Sequence, residues 1–218
     1  MLGEPVRDDV AREVSAAETV GVTPTPAPER LTDHDLWDES SRPVAPAPPA
    51  GHRYRPQGPA VGAHLVDVHD HLRAELAQLR EVVQQVEQGR SSAGEAREVL
   101  HELTLKQNAW ALGAYCASYC RLLTQHHTLE DRAIFPHLRA AEPGLSPVVD
   151  RLEEEHVVIH GVVEQVDRAL VTAVTTGELA PVRAAVDLLT DTLLSHLSYE
   201  EHQLVEPLAR HGMFAGQL

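Results

Sequence analysis

The stretch LTQHHTLEDRAIFPHL, Leu123 to Leu138, sets His126 four residues before Glu130. On a helix that spacing puts an imidazole and a carboxylate on one face, one turn apart, where both can reach the same cation. The arrangement returns downstream: His156 and His160 stand four apart in EEEHVVIH, and His196 and Glu200 stand four apart in SHLSYEEH. Upstream, VDVHDHL offers His69 and His71. The chain holds 14 histidines, yet only His34 and His52 fall in its first 60 residues. The imidazoles are thus concentrated where carboxylates stand at chelating distance, and the chemistry this suggests is metal binding.

Positioning those groups requires helices. From Val61 onward apolar residues recur with helical periodicity, and breakers divide the segment into four. The first helix is expected from about Val61 to Glu87, ending at EQGRSSAG, and the second runs to about Ala140 with Pro136 disturbing its last turn. A third starts at LSPVVD, where Ser146 suits a cap and Pro147 the first helical position. The last runs from near Pro181 to before Gly212. No strand-like alternation competes, so the class is all-α. Short connections predict an antiparallel up-down-up-down four-helix bundle over residues 61–212.

On the second helix the core stripe reads Leu112, Cys116, Tyr119, Leu123, His126, Glu130, Ala133. On the third it reads Val149, Leu152, His156, Ile159 or His160, Val163, Val166, Leu170. On the fourth it reads Val182, Val186, Leu189, Leu193, His196, Glu200, Leu204. The first-helix stripe, Leu65, Val68, Leu72, Leu76, Leu79, Val83, favours His69 over His71. His69 and His156 lie near the starts of their helices, Glu130 and Glu200 near the ends of theirs. Up-down topology therefore brings His69, His126, Glu130, His156, His160, His196 and Glu200 into one layer. Ionised carboxylates buried without partners would cost several kcal/mol or more, which a metal relieves. The donors exceed what one tetrahedral zinc uses, and no thiolate is among them. Two ions bridged by Glu130 and Glu200, with an open position, fit the donor set. Nitrogen and carboxylate ligation of that kind suits iron or manganese. Asp131 and Glu201 are expected either in solvent or orienting ring N–H groups. His64, His71, His101, His127, His137, His202 and His211 are expected at the surface or behind the donors. A competing Glu-x-x-His pairing, Glu98/His101 with Glu153/His156, fails on distance, because His101 lies roughly 37 Å along a continuous helix from His126.

The segments HHTLEDRAIFPHL, RLEEEHVVIHGVV and LLSHLSYEEHQLVEPL, preceded by VDVHDHLRAELAQL, resemble a hemerythrin-like (HHE cation-binding) domain over about Gly62 to Arg210. The resemblance implies a non-heme di-iron centre with an oxo or hydroxo bridge and two bridging carboxylates. It places His69 and His126 on one iron and His156, His160 and His196 on the other. In oxygen-carrying hemerythrins the last carboxylate lies five residues after its histidine, the place of Glu201 here. Helical periodicity favours Glu200, since five residues rotate a side chain by roughly 140° from His196. The function expected is binding of dioxygen, nitric oxide or peroxide for sensing or redox defence. The alternatives are a di-iron enzyme acting on peroxide or nitric oxide, with Tyr119 or Tyr199 nearby, and an iron-handling protein. Tyr119 also reads as plain core packing.

The charge of −15 argues against nucleic acid and anionic membranes, whose phosphates are held by clustered Lys and Arg. No run of about 18 apolar residues occurs, and the expectation is a soluble cytoplasmic protein with Cys116 and Cys120 reduced. The first 60 residues hold ten of the fifteen prolines and read as a disordered or extended arm, with a short helix around residues 8–20 and with Trp37 free to dock. Deleting that arm is expected to leave iron and helix content nearly unchanged.

Overall fold

Four long helices carry the chain from Gly58 to His211 in the computed structural model, which describes residues 16–91 and 98–218. Helix α1 spans Gly58–Ser91 and α2 Glu98–Leu129. A π-helical turn, Glu130–Ile134, leads from α2 into the short α3, Phe135–Ala141. A 3-10 turn, Pro143–Leu145, precedes α4, Ser146–Thr176, and α5 covers Ala180–His211. Among the described residues there is no strand. The part of the expected helix at residues 8–20 that precedes Ala16 lies outside the described residues, and Ala16–Val20 forms a 3-10 turn. Residues 92–97, between α1 and α2, also lie outside them, as do the side chains of Glu98 and His101.

The ends follow local chemistry. Ser146 opens α4 rather than capping it, because the preceding 3-10 turn already delivers the chain in helical geometry. Gly177 ends α4 in the left-handed region (φ 78°), its N–H donating to the Ala173 carbonyl at 2.8 Å.

Helices α1 and α5 run against each other. Gly62 faces Val205, His69 faces Glu201, and Arg80 faces Asp187. Helices α1 and α2 also oppose, with Tyr115 meeting Glu75 and Tyr119 meeting Leu72. At the α1–α5 contact a Cβ on Gly62 would stand 2.6 Å from the Val205 carbonyl oxygen, and backbone cannot swing aside. Gly62→Ala should therefore destabilise the bundle by about 1–3 kcal/mol, read as a lower thermal midpoint by circular dichroism. An unchanged midpoint would mean that the two helices can separate freely here.

The apolar side chains form two clusters. One gathers Leu72, Leu76, Leu79, Tyr119, Leu123, Ile159, Val166 and Leu193. The other gathers Leu65, Ile134, Phe135, Leu138, Leu152, Leu204 and Leu208. His69 on α1, His126 and Glu130 at the end of α2, and His156 on α4 fall between members of the two clusters. On α5 His196 and Glu200 stand where the two meet, between Leu193 and Leu204, while His160 lies past Ile159 of the first cluster.

The arm is extended, as its composition suggests, but the expectation of disorder does not describe residues 16–57, which are seated on the bundle. Asp191 of α5 accepts from the N–H groups of Leu31 at 2.8 Å and Thr32 at 2.7 Å. Tyr54 donates its hydroxyl hydrogen to Glu206 at 2.7 Å, and Tyr199 donates to the Pro43 carbonyl at 2.7 Å. Trp37 packs against the first apolar cluster, and Ala17 and Val20 are buried in the second. Proline favours this docking, since residues whose φ is already fixed lose less freedom on being ordered. The consequence shows in α5, where every residue from Ser195 to Glu201 is buried.

Candidate metal centre

The C-terminal part of α2 supplies three inward groups. Leu123 is buried, and the stripe beyond it is wide enough to take both His126, three residues on, and His127, four residues on. Glu130 follows His126 by one turn and begins the π-helical turn. That turn holds one extra residue, which moves the buried position beyond it from the expected Ala133 to Ile134. α1 contributes His69, α4 His156, and α5 His196 and Glu200. His69, His127, Glu130, His156, His196 and Glu200 are buried at 0–1% exposure, and His126 is partly buried, its side chain 9% exposed. His71 is exposed.

Potential donor atoms fall into two groups, His69, His126, Glu130 and Glu200 in one and His127, His156 and His196 in the other, with the atoms of each group within 4.8 Å of one another. The carboxylates join them. Glu130 sets Oε1 3.2 Å from His126 Nε2 and Oε2 3.6 Å from His156 Nε2. Glu200 sets Oε2 3.5 Å from His69 Nε2 and 3.6 Å from His196 Nε2. Donors around a cation at about 2.1 Å stand about 3.0–3.4 Å apart, close to these separations. His160 is half-buried and belongs to neither group; its ring lies edge-on to that of His127 at 5.8 Å. His127, expected outside the donor layer, is instead fully buried with its ring stacked 3.9 Å from that of His156.

Three imidazoles are oriented the same way. His69 Nδ1 is 2.9 Å from Glu201 Oε1, His156 Nδ1 is 2.7 Å from Asp131 Oδ1, and His196 Nδ1 is 3.1 Å from Glu155 Oε2. An ionised carboxylate can only accept, so the hydrogen sits on Nδ1 and the lone pair on Nε2. The Nε2 atoms of all three are buried without a hydrogen-bond partner, as are Nε2 of His126, both ring nitrogens of His127, both oxygens of Glu130 and Oε2 of Glu200. Such atoms are rarely left unpaired in a folded interior, and here one such atom from each of these residues falls within the two donor groups. Asp131 and Glu201 thus fulfil their expected orienting role, while Glu155 escaped notice within the run Glu153–Glu154–Glu155.

Electrostatics point the same way. Burial, followed by the Arg73 charge and the neighbouring imidazoles, holds His69 well below the usual range, and burial does the same to His126 and His127. His196 is brought down to about 4 by burial despite its Glu155 hydrogen bond. These rings are neutral with lone pairs available. Burial and then the charge of Glu200 push Glu130 well up, and burial takes Glu200 up to about 8. Burial would raise Glu155 too, but hydrogen bonds from His196 and Arg42 outweigh it and hold it at about 2. The centre thus pairs neutral imidazoles with carboxylates that lack a counter-charge, and a cation would supply it.

The arrangement can hold metal. A family model described as the hemerythrin HHE cation binding domain matches residues 60–208. No curated protein and no solved structure matches the chain.

Proposed function

Because the chain belongs to the hemerythrin HHE cation-binding family, we propose that its up-down bundle holds two non-heme iron ions and binds dioxygen, nitric oxide or peroxide for sensing or redox defence. His69 and His126 would hold one ion, and His156, His196 and His127 the other, with Glu130 and Glu200 between them. His160, the partner that four-residue spacing suggested, would stand beside His127. The observation that carries this reading is the set of oriented imidazoles, Nδ1 on a carboxylate and Nε2 unpartnered, around two unpartnered carboxylates. When bound, an iron pair supplies reversible redox change and an open position for a small ligand.

The chain's own residues do the rest. Apolar clusters on both sides exclude water from the layer. Asp131, Glu155 and Glu201 keep hydrogens on Nδ1 and so keep Nε2 aimed inward. Burial of all the donors but His126, whose side chain is 9% exposed, favours a diatomic molecule or peroxide over a bulky substrate, which supports binding and sensing ahead of catalysis. No described helix is long and apolar enough to cross a membrane, and the free thiols of Cys116 and Cys120 support a cytoplasmic setting.

Metal analysis tests the proposal. Protein purified from iron-replete cells should hold about two irons per chain and, when oxidised, absorb in the near ultraviolet through ligand-to-iron charge transfer, whereas His127→Ala should retain about one. Stoichiometric zinc, or no metal, overturns the di-iron reading. Full occupancy in His127→Ala with loss in His160→Ala returns the second ion to the four-residue pair on α4.

A further inference from the structure

The arm reaches the metal layer at two separate points, and at each it grips a carboxylate that itself holds a ring. Arg42 donates from Nε to Glu155 Oε1 at 2.8 Å and from Nη2 to Oε2 at 2.9 Å. That second oxygen is the one 3.1 Å from His196 Nδ1. Arg151 also donates to Glu155, but only to Oε1, at 2.9 Å. Among the described residues, Arg42 is therefore the cation that donates to the oxygen meeting the imidazole. It is held in turn, its guanidinium lying over Tyr199 at 4.6 Å and Trp37 at 5.4 Å, with its side chain 9% exposed. On the other side of α5 the Thr25 N–H donates to Glu201 Oε2 at 2.7 Å. Glu201 Oε1 meets His69 Nδ1 at 2.9 Å and Arg73 at 2.7 Å.

We propose that Arg42 and the Thr25 amide are positioning groups for the metal centre: Arg42 sets His196 through Glu155, Thr25 sets His69 through Glu201, and the arm is part of the site's support. The inference rests on the metal-binding reading for what the rings hold, but the contacts are those of the chain itself. A planar fork that spans both oxygens fixes the plane of Glu155 as an ammonium cannot. Glu155 and Glu201 in turn decide which ring nitrogen carries the hydrogen, and losing support of this kind typically weakens metal binding about 10–100-fold. Seated on the bundle, the arm closes both supports; lifted away, it releases a ring on each side of the layer. Its docked state and the state of the metal are thus linked, in the direction that docking tightens binding.

The test uses full-length protein. In metal-free samples, nitrogen-15 spectra of the histidine rings report whether His196 and His69 carry hydrogen on Nδ1. Separately, Fe(II) affinity is measured anaerobically in competition with a chelator. Arg42→Ala should lose the fixed Nδ1–H form of His196 and bind Fe(II) about 10–100-fold more weakly, with Arg42→Lys between it and the native chain. Thr25→Pro, which removes the amide hydrogen between two existing prolines, should affect His69 and spare His196. Arg139→Ala, which breaks an ion pair with Glu153 that involves none of the rings, should change neither. Native ring tautomers and affinity within twofold in Arg42→Ala overturn the proposal. Should that variant fail to fold, Arg42→Lys decides: weaker binding at native helical content supports the role of the fork, and native affinity overturns it. If the native chain takes up no iron, the di-iron proposal fails, while the ring spectra still report on the arm.

Discussion

Glu130→Ala and Glu200→Ala should each empty the centre, while Glu201→Ala only weakens it. Glu130 is the group whose two oxygens face different imidazoles, His126 on one side and His156 on the other. Glu200 stands between His69 and His196 through a single oxygen, Oε2. Removing either leaves buried positive charge without its compensation, a penalty of about 3–5 kcal/mol, or roughly 100-fold to several thousandfold in affinity at 1.4 kcal/mol per decade. Glu201 has no such place. Its oxygens are taken by His69 Nδ1, Arg73 and the Thr25 amide, and removing it should loosen His69 at a penalty of about 10–100-fold. Metal content after dialysis against a chelator separates the three variants. Retention in Glu200→Ala with loss in Glu201→Ala would show that the five-residue spacing of the oxygen carriers governs α5.

The two glutamates differ in legibility for a simple reason. The stripe on α5 keeps helical phase and is buried along its whole length, which favours Glu200, but Glu201 beside it is buried as well. The four- and five-residue spacings are therefore told apart by the partners that occupy Glu201, which are His69 Nδ1, Arg73 and the Thr25 amide. On α2 the phase is not kept. Counting four then three from Tyr119 leads through Leu123 to His126, but a stripe two residues wide at that level also takes His127, a reading available from Leu123 four residues earlier. The π-helical turn that then shifts Ala133 out and Ile134 in has no marker in residue type. Pairs such as Asp131 with His156 could be anticipated because both lie in helices whose faces were already placed. Arg42 and Glu155 are 113 positions apart, one of them in a proline-rich segment without periodicity. Composition predicts that such a segment is extended; where it lies depends on partners that local pattern does not reveal.

Deleting residues 1–57 should therefore do what composition alone does not suggest: lower the thermal midpoint and weaken metal binding while leaving the bundle helical. The helical content should survive, because the first apolar cluster is built from α1, α2, α4 and α5 themselves, with Trp37 packed at its edge. The loss comes from what the arm covers. Asp191, Glu206 and Tyr199 lose their hydrogen-bond partners at Leu31, Thr32, Tyr54 and Pro43. Glu155, 1% exposed, loses Arg42 and keeps only Arg151 and His196. Ordering the arm costs conformational entropy that deletion returns, about 1–2 kcal/mol per residue less whatever the prolines have already fixed, so the net effect falls well below the sum of the bonds. Breaking one buried ion pair sets its scale at on the order of 3 kcal/mol, which for a chain of this size corresponds to roughly 6–12 °C in the midpoint. Because the same deletion removes the Thr25 and Arg42 supports together, Fe(II) affinity should fall at least as far as in either point variant. Circular dichroism melts and chelator competition on the shortened chain check both halves. A midpoint and an affinity equal to those of the full chain would show that residues 16–57 rest on α5 without contributing to it.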